Sequence, residues 1–190
     1  MLKIAHRINS VQQLKNVPKD QGIELDIRAF ENHLILHHDP FEKGELFEDL
    51  LKSYQHKFII LNTKCEGMEE AILELLAKYR ITEYFFLDLS LPYLVKYANK
   101  GLKEIAIRYS EFEPIEFALA FAGKVDWVWV DCFTHLPLDD LSYQALKKHF
   151  KICIVSPELQ GYGLKMIDTF KTQIADMQID AVCTKRPDLW

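Results

Sequence analysis

Short apolar runs alternate with stretches of helical periodicity along almost the whole chain. Lys3-Ile4-Ala5 reads as a brief opening strand that delivers His6 and Arg7 at its end. In Gly22–Arg28, Ile23, Leu25 and Ile27 alternate with Glu24, Asp26 and Arg28. A period of two sends the two sets to opposite faces of a strand. The chain then turns at Glu31-Asn32, passes through a second apolar stretch and reaches His38-Asp39-Pro40. A polar segment follows from Phe41 to Lys57, with a short helix predicted over Glu45–Tyr54. Phe58–Leu61 reads as a buried strand leading into Asn62-Thr63-Lys64. Met68–Arg80 is predicted helical, because Ile72, Leu75, Leu76 and Tyr79 fall on one stripe. Further strands are predicted at Tyr84–Leu89, Glu104–Ile107, Trp127–Val130, Lys151–Val155 and Ala181–Cys183. Helices are predicted between them at Leu91–Lys100, Pro114–Ala122, Leu138–His149 and Leu164–Met177. Gly101 and Gly123 suit helix ends, and Pro114 suits a first turn.

Eight apolar strands alternating with helices imply a parallel sheet buried on both faces. The expected fold is α/β, a compact (β/α)8 TIM barrel forming a single domain over residues 1–190. An open doubly wound sheet is the alternative. Such barrels typically need about 250 residues. With 190 residues, the wall is expected to be thin at the first helix, Val11–Asn16.

Composition narrows the function. The chain is 49% hydrophobic and 27% charged, with a net charge of −5. That excludes a nucleic-acid surface as the default partner. No apolar run approaches the roughly 18 residues of a membrane helix, and a strand starting at residue 3 leaves no room for a signal peptide. A cytoplasmic location without membrane insertion is expected; the oligomeric state is left open. Cys65, Cys132, Cys153 and Cys183 show no metal-binding spacing. The last three fall in or beside strands and read as small buried hydrophobes, with a catalytic thiol at Cys132 as the minor alternative. Trp127 and Trp129 likewise read as packing residues.

The chemistry gathers where strands end, which in a barrel is one rim. Those ends carry His6 and Arg7; Glu24, Asp26 and Arg28; Asn62 and Lys64; Asp88; Arg108; Asp131; Ser156 and Glu158; Thr184 and Lys185. Two carboxylates pointing the same way repel unless a cation sits between them, and a divalent metal is the usual solution. Arg7, Lys64, Arg108 and Lys185 would supply local positive charge for a phosphate. Two histidines, His6 and His38, would then serve acid–base work on a phosphate ester. Each residue also has a plainer role open to it. His6 could cap a strand, Glu24 and Asp26 could pair with Arg28, and Asp88 and Asp131 could be structural acceptors. His37 reads as a bystander, and Gly161-Tyr162-Gly163 as a simple turn.

The segments IAHR, GIELDIR, HHDP and DAVCTKRPD, in that order along the chain, resemble the glycerophosphodiester phosphodiesterase family. That family belongs to the barrel superfamily of phosphatidylinositol-specific phospholipases C. The resemblance implies that His6 and His38 are an acid/base pair. It implies that Glu24 and Asp26 hold Mg2+ or Ca2+, with Asn62 at the third ligand position, and that Arg7 and Lys64 bind phosphate. Arg108, Asp131, Glu158 and Lys185 are the further substrate-binding candidates. The implied substrate is a small-molecule phosphodiester, of the kind met in lipid metabolism.

The chain departs from the family pattern at several points. Asn62 stands where the third metal ligand is normally a glutamate, so the site loses a charge and metal affinity should fall. Glu66 is a candidate substitute. Ile8-Asn9-Ser10 replaces the family's glycine and Pro-Glu-Asn-Thr segment. The insertion after His-Asp-Pro is cut to Phe41–Lys57, and Lys185 replaces an aspartate, which favours a more anionic diester. Two rival readings accompany the hydrolase. One is a barrel that binds a phosphorylated metabolite or partner without turnover, and the other is a lyase that stops at a cyclic phosphate.

Overall fold

The computed structural model describes all 190 residues. They pack as two compact units, one of Ala5–Lys96 and the other of Met1–Ile4 with Tyr97–Trp190. No helix is long and apolar enough to cross a membrane.

The Ala5–Lys96 unit is built on β2 (Gly22–Phe30). On one side β2 pairs in parallel with β5 (Phe58–Thr63), and β5 pairs in parallel with β6 (Tyr84–Leu87). On its other side β2 pairs antiparallel with β3 (His33–Leu36), which pairs with β4 (Glu45–Leu46). The two antiparallel strands were not expected from the sequence. The apolar stretch before His38 completes a hairpin through Glu31, whose left-handed φ of 54° makes the tight turn. Helices α1 (Val11–Leu14), α2 (Phe47–Ser53), α3 (Glu69–Lys78) and α4 (Leu91–Asn99) follow the strands. The predicted helix over Glu45–Tyr54 therefore loses its first two residues to β4. The α1 helix is one turn long, as the short sequence between the first two strands requires, and Ser10 caps it by accepting from the Gln13 amide at 3.1 Å. Ile23, Leu25, Ile27, Ile59, Ile60, Leu61, Phe85 and Phe86 are fully buried, and Ile72 and Leu76 of α3 are buried as well.

In the other unit β1 (Leu2–Ala5) neighbours β10 (Ala181–Thr184). From there β9 (Lys151–Val155), β8 (Trp127–Val130) and β7 (Ala106–Tyr109) continue as parallel neighbours. The predicted strand Glu104–Ile107 lies two residues too early, so Arg108 sits inside β7 rather than beyond it. Helices α5 (Ile115–Leu119), α6 (Asp140–Lys147) and α7 (Lys165–Gln173) are each shorter than their apolar stripes suggested. Trp127, Trp129, Cys132, Cys153 and Cys183 are buried. Burial pushes the Cys132 thiol up to about 12, so it is a packing residue and not a ready thiolate.

Two polar or backbone details shape the loops at strand ends. Gly44 lies against the end of β3, where a Cβ would stand 2.3 Å from the Leu36 carbonyl oxygen. Glu111 follows β7 and accepts from the amides of Phe133, Thr134 and His135 at 3.2, 2.5 and 2.8 Å. Burial raises the Glu111 carboxyl, but those amides and the Thr134 hydroxyl outweigh it and bring it down to about 2.

Gly44→Ala should lower stability by ~1–3 kcal/mol in urea unfolding, because the Leu36 backbone must move; an unchanged midpoint would contradict the close approach. The depressed Glu111 carboxyl stabilises the fold fully above its unfolded value and progressively less as pH falls towards about 2. Between pH 5 and pH 2, Glu111→Gln should therefore lose less stability than the parent protein, by ~2 kcal/mol. Parallel acid-unfolding curves for the two proteins would refute that role.

Candidate functional site

The register of β2 on β5 assembles the centre of the site. Asp26 lies opposite Asn62, and Glu24 opposite Ile60. With a period of two, Glu24, Asp26, Asn62 and Lys64 then share one face. Both carboxylates are buried, each with only 1% of its surface exposed, and Asn62 is 7% exposed. Two anions that close, out of water, require compensation from their neighbours.

Each oxygen of the pair has a neighbour from the chain itself. Glu24 Oε1 accepts from Asn62 Nδ2 at 2.9 Å, and Oε2 accepts from the Arg7 amide at 2.7 Å. Arg7 adopts a left-handed φ of 59°, a conformation few side chains favour, and its amide meets Glu24 from there. His6 Nε2 stands 3.7 Å from the same Glu24 Oε2. Asp26 Oδ1 faces Lys64 Nζ at 3.3 Å, and Oδ2 accepts from Asn9 Nδ2 at 2.8 Å with Arg7 Nε 3.6 Å away. Lys64 also approaches Asp88 Oδ2 at 3.7 Å. Burial, followed by the Asp26 charge, pushes the Glu24 carboxyl up to about 7; the Asn62 and Arg7 hydrogen bonds and the Lys64 charge offset only part of this.

Asn62 Oδ1 is buried without a hydrogen bond, a costly condition for an amide oxygen. No group of three or more His, Cys, Asp or Glu side chains that could hold a metal ion occurs in the chain. The side-chain oxygen placed to join Glu24 and Asp26 in holding an ion would be that amide oxygen. Two carboxylates and one carbonyl-type oxygen form an all-oxygen set of the kind that hard cations such as Mg2+ and Ca2+ take. The residues thus fit such an ion. Glu66, considered as a substitute ligand, is exposed on the loop after β5.

His38 lies beyond β3, and its ring is turned by the next residue. Nδ1 is 2.8 Å from Asp39 Oδ1, which leaves Nε2 as the nitrogen available for proton transfer. His37 shapes the same turn through its Nδ1, which accepts from the Asp39 amide at 3.0 Å. Arg28 points its guanidinium at backbone carbonyls: Nε and Nη2 donate to the His38 oxygen at 3.0 and 2.8 Å, and Nη1 to the Lys64 oxygen at 3.2 Å.

Arg108, Asp131, Glu158 and Lys185 belong to the other unit. There Arg108 donates to Asp131 Oδ2 at 2.7 Å and to Glu113 Oε1 at 2.8 Å, a guanidinium with two carboxylates already on it. Asp131 also accepts from Gln160 Nε2 at 2.6 Å and from the Cys132 amide at 2.9 Å. Glu158 takes hydrogen bonds from the Ser156 and Thr184 hydroxyls and from the Lys185 amide. Lys185 is exposed. These groups bind one another and set the loops after β8, β9 and β10.

The sequence reading gave no role to Asn9 or Asp39 and offered Arg28 only as an ion-pair partner of the carboxylates. Asn9 grips Asp26 twice: besides the side-chain bond above, its Oδ1 accepts from the Asp26 amide at 2.8 Å. The Ser10 helix cap beside it was the available signal.

No family model matches the sequence, and no curated protein matches it. Solved structures do match it in fold. A glycerophosphoryl diester phosphodiesterase from Parabacteroides distasonis superposes with a TM-score of 0.67 at 12% identity, covering 99% of this chain and 84% of its own. A putative glycerophosphoryl diester phosphodiesterase from Agrobacterium tumefaciens gives 0.69 at 14% identity, covering 100% and 95%. A mutant tryptophan synthase alpha-subunit from Pyrococcus furiosus gives 0.59 at 13% identity, covering 98% and 88%. The fold is the α/β TIM barrel that these proteins share, and the chain is similar over nearly its whole length to glycerophosphoryl diester phosphodiesterases.

Proposed function

We propose that the chain is a metal-assisted phosphodiesterase acting on a small-molecule diester. The observation that carries this reading is the buried Glu24–Asp26 pair beside the partnerless Asn62 oxygen, with His6 against the same carboxylate. A structural ion pair has no need of a second buried carboxylate or an orphaned amide oxygen. The likeness in fold to glycerophosphoryl diester phosphodiesterases supports it.

Glu24, Asp26 and Asn62 would hold the Mg2+ or Ca2+ ion, whose contribution is to offset negative charge on the phosphoryl oxygens. Arg7 and Lys64 add positive charge where the phosphate docks, with Lys64 fixed by Asp26 and Asp88. A substrate hydroxyl next to the phosphate attacks phosphorus, and one histidine takes its proton. The bond from phosphorus to the leaving alcohol breaks, and the other histidine gives that oxygen a proton. His38 suits proton transfer through Nε2 because Asp39 occupies Nδ1. A proton on His6 Nε2 faces Glu24. Water then opens the cyclic product with the histidine roles exchanged.

His6→Ala and His38→Ala should each reduce turnover of a hydrolysable diester by ~10²–10⁴-fold with far-UV circular dichroism unchanged. The double variant should lose far less than the product of the two effects, since the pair works as a unit. Wild-type turnover in both single variants would overturn the assignment. Phosphorus NMR of the product separates an open monoester, expected here, from the cyclic ester of a lyase.

A further inference from the structure

We propose that Arg28 is a positioning residue that holds His38 and Lys64 in working geometry through their backbones; this rests on the diesterase reading above. The ladder of β2 with β5 stops at Thr63, and that of β2 with β3 stops with Leu36 opposite Ile27. The carbonyls of Lys64 and His38 lie just beyond, where the sheet no longer supplies donors. Loops leaving a sheet at such points are the less rigid part of a fold. Here one side chain supplies the missing donors to both.

Arg28 stands on β2 two residues after Asp26, on the face that carries Glu24 and Asp26. Its Nε and Nη2 close on the His38 oxygen, and its Nη1 reaches the Lys64 oxygen. The sequence alone suggests an ion pair with the carboxylates; the structure instead places three N–H groups on two carbonyls. Only a planar fork with several donors meets two fixed acceptors at once, and a lysine ammonium on a flexible stem does not reproduce that geometry. Hydrogen bonds from a charged donor are about twice as strong as neutral ones. The two residues tied together this way carry different tasks: His38 moves a proton, and Lys64 sets the charge beside Asp26. A shift of either loop misplaces a group against the phosphate, and an error on the order of 1 Å costs ~10²-fold in rate.

The contrast between Arg28→Lys and Arg28→Ala separates geometry from charge. Two readouts are taken on each: diester kinetics, and amide hydrogen exchange followed at Asp39 and Lys64. If Arg28 positions the loops, both variants lose tenfold or more in kcat with KM within about threefold. Exchange at those two amides then rises tenfold or more, while exchange in β5 and β6 stays as in the parent. If Arg28→Lys keeps parental kcat and exchange, the charge alone suffices and the proposal fails. A fall in kcat with unchanged exchange means that the guanidinium acts on substrate directly, which also overturns it. Faster exchange throughout the Ala5–Lys96 unit assigns Arg28 a general stabilising role and overturns it too. If the parent protein turns over no diester, the functional reading falls by itself. The exchange data then decide the clamp alone: acceleration confined to the two loops supports it, and no change refutes it.

Discussion

Two carboxylates buried side by side on one strand are the constraint around which the Ala5–Lys96 unit is arranged. In water Glu24 and Asp26 would cost nothing; inside the protein each must be hydrogen-bonded or matched by positive charge. The chain meets that need from three places. The turn after β1 brings the Arg7 amide and His6, the loop before α1 brings Asn9, and β5 brings Asn62 and Lys64. Even so, compensation is incomplete, since Glu24 still holds its proton up to about neutral pH and Asn62 Oδ1 lacks a partner. A second negative charge that burial disfavours, beside a bare oxygen, is what a cation would stabilise.

The other unit shows what carboxylates look like when compensation is complete. Asp131 has a guanidinium, an amide side chain and a backbone amide, and Glu158 has two hydroxyls and a backbone amide. Glu111 collects three backbone amides and keeps its charge down to about pH 2. These groups order loops and leave no buried atom waiting for a ligand among their own oxygens. The difference between the two kinds of carboxylate lies in their partners, not in exposure alone.

Much of this was legible in the sequence because period-two alternation is a strong signal. It placed Glu24 and Asp26 on one face, and the apolar runs located the strands to within about two residues. The hairpin of β3 and β4 was missed because a short strand next to a polar segment looks like any apolar stretch. The strand carrying Arg108 was placed too early because Ile105 continues the apolar pattern backwards. Arg108 looked like a free phosphate ligand since nothing in one dimension shows that Glu113 and Asp131 come to it. For the same reason Arg28 was read as an ion-pair partner: backbone carbonyls as acceptors are invisible in a sequence. Asn9 was passed over because its partner lies seventeen positions away on another element.

The most direct test is calorimetric titration of the chelator-treated protein with Mg2+ and with Ca2+, alongside Glu24→Ala and Asn62→Glu. Saturable binding of one ion is expected in the parent, no binding in Glu24→Ala, and tighter binding in Asn62→Glu, where a second oxygen and a charge are restored. No binding at millimolar metal in the parent, with inorganic phosphate present as well as absent, would contradict it. The carboxylate pair would then be a structural device neutralised by Lys64 and Arg7 alone.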